Sequence, residues 1–224
     1  MDVAIPIFDG ITALDAVGPY EVLSRLPGVT VRFVAERPGE HRTENGQLAL
    51  VADVALPDLV APEIVVVPGG FGTRALLSGG PLLDWVRAAH QTSRWTTSVC
   101  TGSLVLAAAG VLRGLEATTH WAAMDLLGTL GALPVDRRVV VVEQSRVITA
   151  AGVSSGIDMA LLLAARLAGD RVAQAIQLAI EYDPQPPFNA GSLRTAPADV
   201  IELVRRVEAS GGAATNPPPG RSAP

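Results

Sequence analysis

Arg94-Trp95-Thr96-Thr97-Ser98-Val99-Cys100-Thr101-Gly102-Ser103, running on into Leu104-Val105-Leu106-Ala107-Ala108-Ala109-Gly110, is the stretch that decides the fold. Its first half is rich in β-branched and aromatic residues and reads as a short strand. Its second half is small and straight-chain apolar and reads as a buried helix that stops at Gly110. Cys100, the sole cysteine, falls at the joint. A strand turning sharply into a helix lifts the joint residue to the top of the sheet, beside helix N–H groups that lack an intrahelical acceptor. Those donors and the helix dipole are expected to favour thiolate over thiol. Thr101, Gly102 and Ser103 are small enough to let a ligand approach the backbone. The plainer reading is a buried structural cysteine, and position alone does not choose between the two.

The composition narrows the classes. At 224 residues, 49% hydrophobic and with a mean hydropathy of +0.35, the chain suits one medium domain with a full core. No apolar run reaches membrane-spanning length; the nearest, Asp158 to Ala168, is interrupted by Arg166. The N-terminus enters a strand directly, with no basic leader, so no signal peptide is expected. A lone cysteine forms no intramolecular disulfide, which suits a cytoplasmic location. The net charge of -5 offers no basic face for nucleic acid. All 17 basic residues are arginine, so lysine Schiff-base chemistry is excluded. His41, His90 and His120 stand at no ligand spacing with one another or with Cys100, and no metal site is expected.

Outward from the central stretch, strands and helices alternate. Residues 3–8 read as a buried first strand. A loop over 9–19 should lead into a helix to about Leu26, with Pro19 in its first turn. Val29 to Ala35 reads as a strand and 41–56, with its Asn45-Gly46 turn signal, as a hairpin excursion. Ile64 to Val67 is a short apolar strand ending at Pro68-Gly69-Gly70. After the Cys100 helix, Ala117 to His120 reads as a strand and Trp121 to Leu130 as a helix. Val139 to Val142 and Arg146 to Thr149 are expected strands. Ser154 or Ser155 should cap a helix through Ala168, and Asp170 another to about Tyr182. Prolines 184, 186, 187 and 197 mark residues 183–197 as an extended surface segment, and one further helix follows. The expected organisation is one domain over 1–208 and a disordered Gly/Pro/Ala-rich tail over 209–224. The pattern predicts a doubly wound parallel α/β sandwich of the flavodoxin-like kind.

In such a fold ligands sit beyond the carboxyl ends of the strands, at a switch in strand order. The Gly69, Gly70 and Thr101 N–H groups are candidates to hold negative charge on a substrate attacked by Cys100, although Gly69-Gly70 also reads as an ordinary tight turn. Asp15, just after the first strand, is either a helix cap or a carboxylate that moves protons. His120 is either an assistant to Cys100 or a packed core residue. No histidine follows His120, and Thr101 rather than histidine follows Cys100, so amide hydrolysis through a cysteine–histidine–acid triad is poorly supported.

Val66-Val67-Pro68-Gly69-Gly70, Ser98 to Leu106, Ala109-Gly110-Val111-Leu112 and Ala117-Thr118-Thr119-His120-Trp121 resemble the ThiJ/PfpI superfamily, whose wider fold is the class I glutamine amidotransferase-like one. Leu14-Asp15, Gly18-Pro19, Gly152 to Asp158 and Glu181 to Ser192 are similar to its isocyanide hydratase branch. The resemblance covers about residues 3–208. It implies a homodimer with Cys100 as nucleophile, Asp15 as active-site acid and Thr101 beside them, His120 and Val153 being candidates for a supporting part. The implied reaction is hydration of a small-molecule isocyanide to an N-substituted formamide through a cysteine thioimidate, with no cofactor, nucleic acid or membrane involved. Two alternatives share the resemblance: a free-standing ligand-sensing domain related to AraC-type regulators, and a glyoxalase- or protease-like hydrolase.

Overall fold

Residues 1–209 are described by a computed structural model; the tail expected over 209–224 lies, beyond its first residue, outside them. The chain opens with β1 (Asp2–Pro6), α1 (Ala13–Leu23), β2 (Thr30–Ala35), β3 (Gly39–Arg42), β4 (Ala49–Ala52), β5 (Val54–Ala55) and β6 (Ile64–Val67). It continues through α2 (Thr73–Leu76), α3 (Pro81–Thr92), β7 (Trp95–Val99), α4 (Gly102–Ala108), β8 (Glu116–Ala117), α5 (Met124–Thr129) and β9 (Leu133–Pro134). It closes with β10 (Val139–Val142), β11 (Val147–Ala150), α6 (Ser155–Ala168), α7 (Asp170–Ala179) and α8 (Ala198–Ala209).

The main sheet has the order β10-β11-β7-β6-β1-β2-β5. Every neighbouring pair is parallel except β10 and β11, which are antiparallel. The sheet is parallel-dominated, as the doubly wound class implies; at that edge only the short turn at Glu143–Ser145 separates the two strands, too little chain for a parallel crossover. β3 and β4 form the expected hairpin. From β1 the chain steps to β2 on one side and then to β6 on the other, so strand order reverses between β1 and β6. Right-handed crossovers then put α1 on one face of the sheet and α3 and α4 on the other. α6 returns to pack against α1, and α7 against α6. β6 is buried along its whole length, and Leu104, Val105 and Leu106 of α4 are fully enclosed. Apolar strands sheathed on both faces by helices account for the unbroken Ile64–Val67 run.

Four local expectations are corrected. α1 begins at Ala13, so Pro19 lies inside the helix and not in its first turn. A proline there leaves the carbonyl four residues back, that of Asp15, without its intrahelical donor. Thr118 to His120 continue from the two-residue β8 as irregular chain, because the Thr118 N–H donates to the Thr149 side chain (2.9 Å) and not to a ladder. Asp170 is the first residue of α7 and Gly169 precedes it as N-cap. Neither Ser154 nor Ser155 caps α6 through its side chain; the Ser155 hydroxyl is buried and meets no hydrogen-bond partner among the described residues.

One close approach fixes the top of the sheet. A Cβ at Gly102 would lie 2.0 Å from the Val67 carbonyl oxygen, so only glycine lets α4 start against the end of β6. Cys100 itself has φ 56, a left-handed conformation that a non-glycine residue seldom adopts, between the end of β7 and the start of α4.

Candidate active site

The site is assembled where the carboxyl ends of β1, β6, β7 and β11 meet. The register pairs Val67 of β6 with Ser98 of β7, and Val99 of β7 with Ala150 of β11, which brings their following loops level. The loops are laced together: the Thr12 N–H donates to the Gly69 carbonyl (3.0 Å) and the Gly72 N–H to the Gly10 carbonyl (3.0 Å). The Cys100 N–H donates to the carbonyls of Ala150 (3.1 Å) and Ala151 (2.8 Å). The Cys100 carbonyl in turn accepts from the Ser103 and Thr119 hydroxyls at 3.1 and 3.0 Å. These bonds hold the left-handed residue in place from four sides, as a strained backbone requires.

Asp15 is fully buried. Its Oδ2 accepts the Gly69 N–H (2.9 Å), and the carboxylate's second partner is the Cys100 thiol. Oδ1 meets no N–H or O–H among the described residues. Asp15 is therefore not a helix cap: it points away from its own helix end into the site. Burial pushes its carboxyl up to about 7 from an ordinary 3.8, with the Gly69 N–H and the thiol pulling down and the negative charge of Glu44 adding to the rise.

Cys100 is buried too, yet it lines a cavity of about 280 Å³ together with Gly70, Thr101, His120 and Val153. Its thiol is pushed well above the usual cysteine range, first by burial and then by the charge of Asp15. The Thr101 and Val153 N–H groups both reach the sulfur and pull the other way. That direction is opposite to the expected pull toward thiolate. Desolvation beside a carboxylate outweighs two backbone donors and the end of a helix only seven residues long.

Gly69 and Gly70 come to the site in a different part from the expected one. Their N–H groups are engaged by the chain itself, Gly69 with Asp15 and Gly70 with the Thr101 hydroxyl (2.9 Å). They seat the two side chains flanking Cys100. Gly69 must be glycine, since a Cβ there would fall 2.5 Å from the Thr101 nitrogen and 2.9 Å from Asp15 Oδ2. The Thr101 hydroxyl is locked further by the Gly70 carbonyl (3.1 Å) and the Thr73 hydroxyl (3.2 Å). His120 lines the cavity wall with its Nδ1 near the Ala122 N–H (3.4 Å) and its ring tilted against Trp121. Val153, at φ 23, supplies the N–H that faces the sulfur from the α6 side.

Glu44, Phe71, Arg74 and Thr73 escaped the sequence reading. Glu44 and the Phe71–Arg74 pair, with the guanidinium 4.9 Å from the ring centroid, line the mouth. Glu44 lies in the hairpin excursion beside the Asn45-Gly46 turn, a pattern that marks the turn and not a carboxylate at the site.

Comparison with known proteins places the chain in a family. The DJ-1/PfpI family model matches residues 1–166. Isonitrile hydratase of Pseudomonas putida is 43% identical over 206 residues, covering 92% of this chain and 89% of that protein. The crystal structure of a ThiJ/PfpI family protein from Pseudomonas syringae superposes with a TM-score of 0.87 at 37% identity, covering 96% of this chain and 90% of that one. The HTH-type transcriptional regulator CdhR of Pseudomonas aeruginosa is 29% identical over 75% of this chain, which spans only 50% of the regulator.

An ionised Asp15 in this setting costs stability. Its folded-state pKa, about 7, lies above the unfolded 3.8, so the folded state holds the extra proton between those values and stability falls as pH rises through them. The cost above neutral pH reaches about 4 kcal/mol. Asp15→Asn is expected to raise the melting temperature by several degrees at pH 8, with the gain vanishing toward pH 4. Calorimetric melts of both proteins across that range check it; an equal or lower Tm for the variant at pH 8 contradicts the burial argument.

Proposed function

The chain belongs to the DJ-1/PfpI family, and on that premise we propose that it is an isocyanide hydratase. The observation that carries the reading is the Asp15 carboxyl, buried against the thiol of Cys100, which itself lines the cavity, in a sequence with no histidine after His120. An amidase must protonate an amine leaving group, whereas hydration of R–N≡C has no leaving group from the substrate. One acid–base group close to the nucleophile is then enough.

The steps balance as follows. Ionised Asp15 takes the proton of the Cys100 thiol, and the sulfur adds to the terminal carbon of the isocyanide. Asp15 returns the proton to that same carbon, giving the thioimidate R–N=CH–S–Cys100. Asp15, again a carboxylate, removes a proton from a water as its oxygen adds to the thioimidate carbon and passes that proton to the imine nitrogen, giving R–NH–CH(OH)–S–Cys100 and a free carboxylate. Collapse of R–NH–CH(OH)–S–Cys100 breaks the C–S bond and releases the formamide R–NH–CHO, with Asp15 taking the hydroxyl proton and delivering it to the departing sulfur to restore the thiol. The net change is R–NC plus water to R–NH–CHO, with no redox partner or cofactor. The Thr101 and Val153 N–H groups that reach the sulfur stabilise its charge only while the proton is on Asp15. A group titrating at about 7 can both take and return a proton at neutral pH. Gly69 and Gly70 act by placing Asp15 and Thr101, and His120 forms part of the wall. The homodimer implied by the resemblance is carried in this proposal, and a monomer by light scattering at micromolar concentration would remove it.

With a simple aryl isocyanide, loss of isocyanide should match appearance of the N-formamide. Cys100→Ala should bring formamide formation to background while the protein still melts cooperatively. Asp15→Asn should lower turnover on the order of 10²–10⁴-fold. For the wild type, kcat/KM should rise with pH through about 7 as Asp15 ionises, a limb absent in Asp15→Asn. Substantial formamide from Cys100→Ala overturns the covalent mechanism, and isocyanide binding without turnover by the wild type favours a ligand sensor.

A further inference from the structure

The cavity around Cys100 is not isolated. A second, larger cavity of about 450 Å³ adjoins it, the two sharing His120 and Val153 as common wall. The first is small and, apart from Phe71 and Val153, carries polar groups toward its mouth. The second is faced by Trp121, Met124 and Leu193. Its charged rim is spent internally: Arg138 pairs with Asp158, Arg137 with Glu116 and Arg194 with Asp136 (2.9 Å). A ligand entering there finds apolar and aromatic surface, with the arginines of the rim already paired to carboxylates among the described residues.

The walls come from the loops at 118–121, 136–138 and 151–154 and from residues 191–194. The third follows the carboxyl end of β11, the second leads into the antiparallel β10, and the first follows β8 of the small two-stranded sheet. The fourth is part of the proline-rich segment, which lies beyond residues 1–166, the stretch matched by the family model. The common domain thus supplies the reacting thiol, and a segment outside it closes a chamber next door. This arrangement suits a site whose chemistry is fixed and whose selectivity is set separately.

We infer that the second cavity is the subsite for the isocyanide's substituent, and that the preferred substrates carry an extended aromatic or apolar group running from the nitrogen, past His120 and Val153, onto Trp121, Met124 and Leu193. The inference rests on the hydratase reading for its reaction, but the subsite itself is read by binding. An isocyanide fits the geometry because its reactive carbon is terminal: the N≡C group is a narrow rod that reaches Cys100 while everything attached to nitrogen trails toward the neighbouring chamber. Apolar surface buried there adds affinity without touching the proton relay, so its effect falls on KM more than on kcat.

The test compares 4-biphenylyl isocyanide with methyl isocyanide, and adds calorimetric binding of the unreactive product N-(4-biphenylyl)formamide. Wild type should favour the biphenylyl compound about tenfold or more in kcat/KM, most of it in KM. Ser192→Trp, in irregular chain on the cavity wall, fills the chamber and should cut that preference at least severalfold and weaken formamide binding in parallel. Equal kcat/KM for the two isocyanides in wild type, or a preference and formamide affinity untouched by Ser192→Trp, overturns the subsite. If neither isocyanide is hydrated, the hydratase reading fails; formamide binding lost in Ser192→Trp then still supports the subsite, and absence of binding to wild type overturns it as well.

Discussion

One buried contact organises this molecule's chemistry: the carboxyl of Asp15 against the thiol of Cys100, with Oδ2 tied to the Gly69 N–H at 2.9 Å. Neither group is comfortable there. Burial raises both, and each charge opposes the other, so the pair is held by a fold that spends much of its top edge on it. The glycines after β6, the left-handed backbone at Cys100 and the near-left-handed Val153 all serve that placement. A carboxylate poised near neutrality can take the thiol's proton only as the sulfur commits to attack and can give it back afterwards, where a strongly stabilised thiolate would hold its charge and gain less by attacking.

The backbone donors are divided between two tasks. Gly69 and Gly70 hold the acid and the neighbouring hydroxyl, while Thr101 and Val153 face the sulfur. Charge that develops on sulfur is thereby met from two strands' ends, β7 and β11, whose register sets the spacing. Preorganisation of this kind acts without rearrangement at the moment of reaction. The membership in the DJ-1/PfpI family accounts for the shared scaffold; the chamber beside it, walled partly by 191–194, is a feature that scaffold does not require.

The sequence made the fold and the central residues legible to different depths. The Ile64–Val67 run and the strand-to-helix change at Cys100 are local patterns, and both stand where the composition puts them. Asp15 was visible as a candidate, but its two readings separate only once burial and the Gly69 contact are seen. Pro19 misled because first-turn placement is the commoner use of proline, whereas here α1 starts six residues earlier and carries it inside. The direction of the thiol's shift differs from the sequence expectation for a physical reason: a helix N-terminus is readable from sequence, while desolvation by distant chain segments is not. Glu44 and the 191–194 wall are likewise tertiary facts, brought to the site by the hairpin and the proline-rich segment. What governs ionisation and selectivity here is assembled from far-apart residues, and what governs the elbow is contiguous.

The central claim is that Cys100 rests as a thiol whose proton Asp15 can take. Infrared spectroscopy of the S–H stretch reads it directly, because Cys100 is the sole cysteine and the band has no other source. The account predicts an S–H band at neutral pH that is missing in Cys100→Ser and that shifts in frequency as Asp15 titrates near pH 7. No S–H band at neutral pH, together with thiolate absorbance in the ultraviolet, would contradict it.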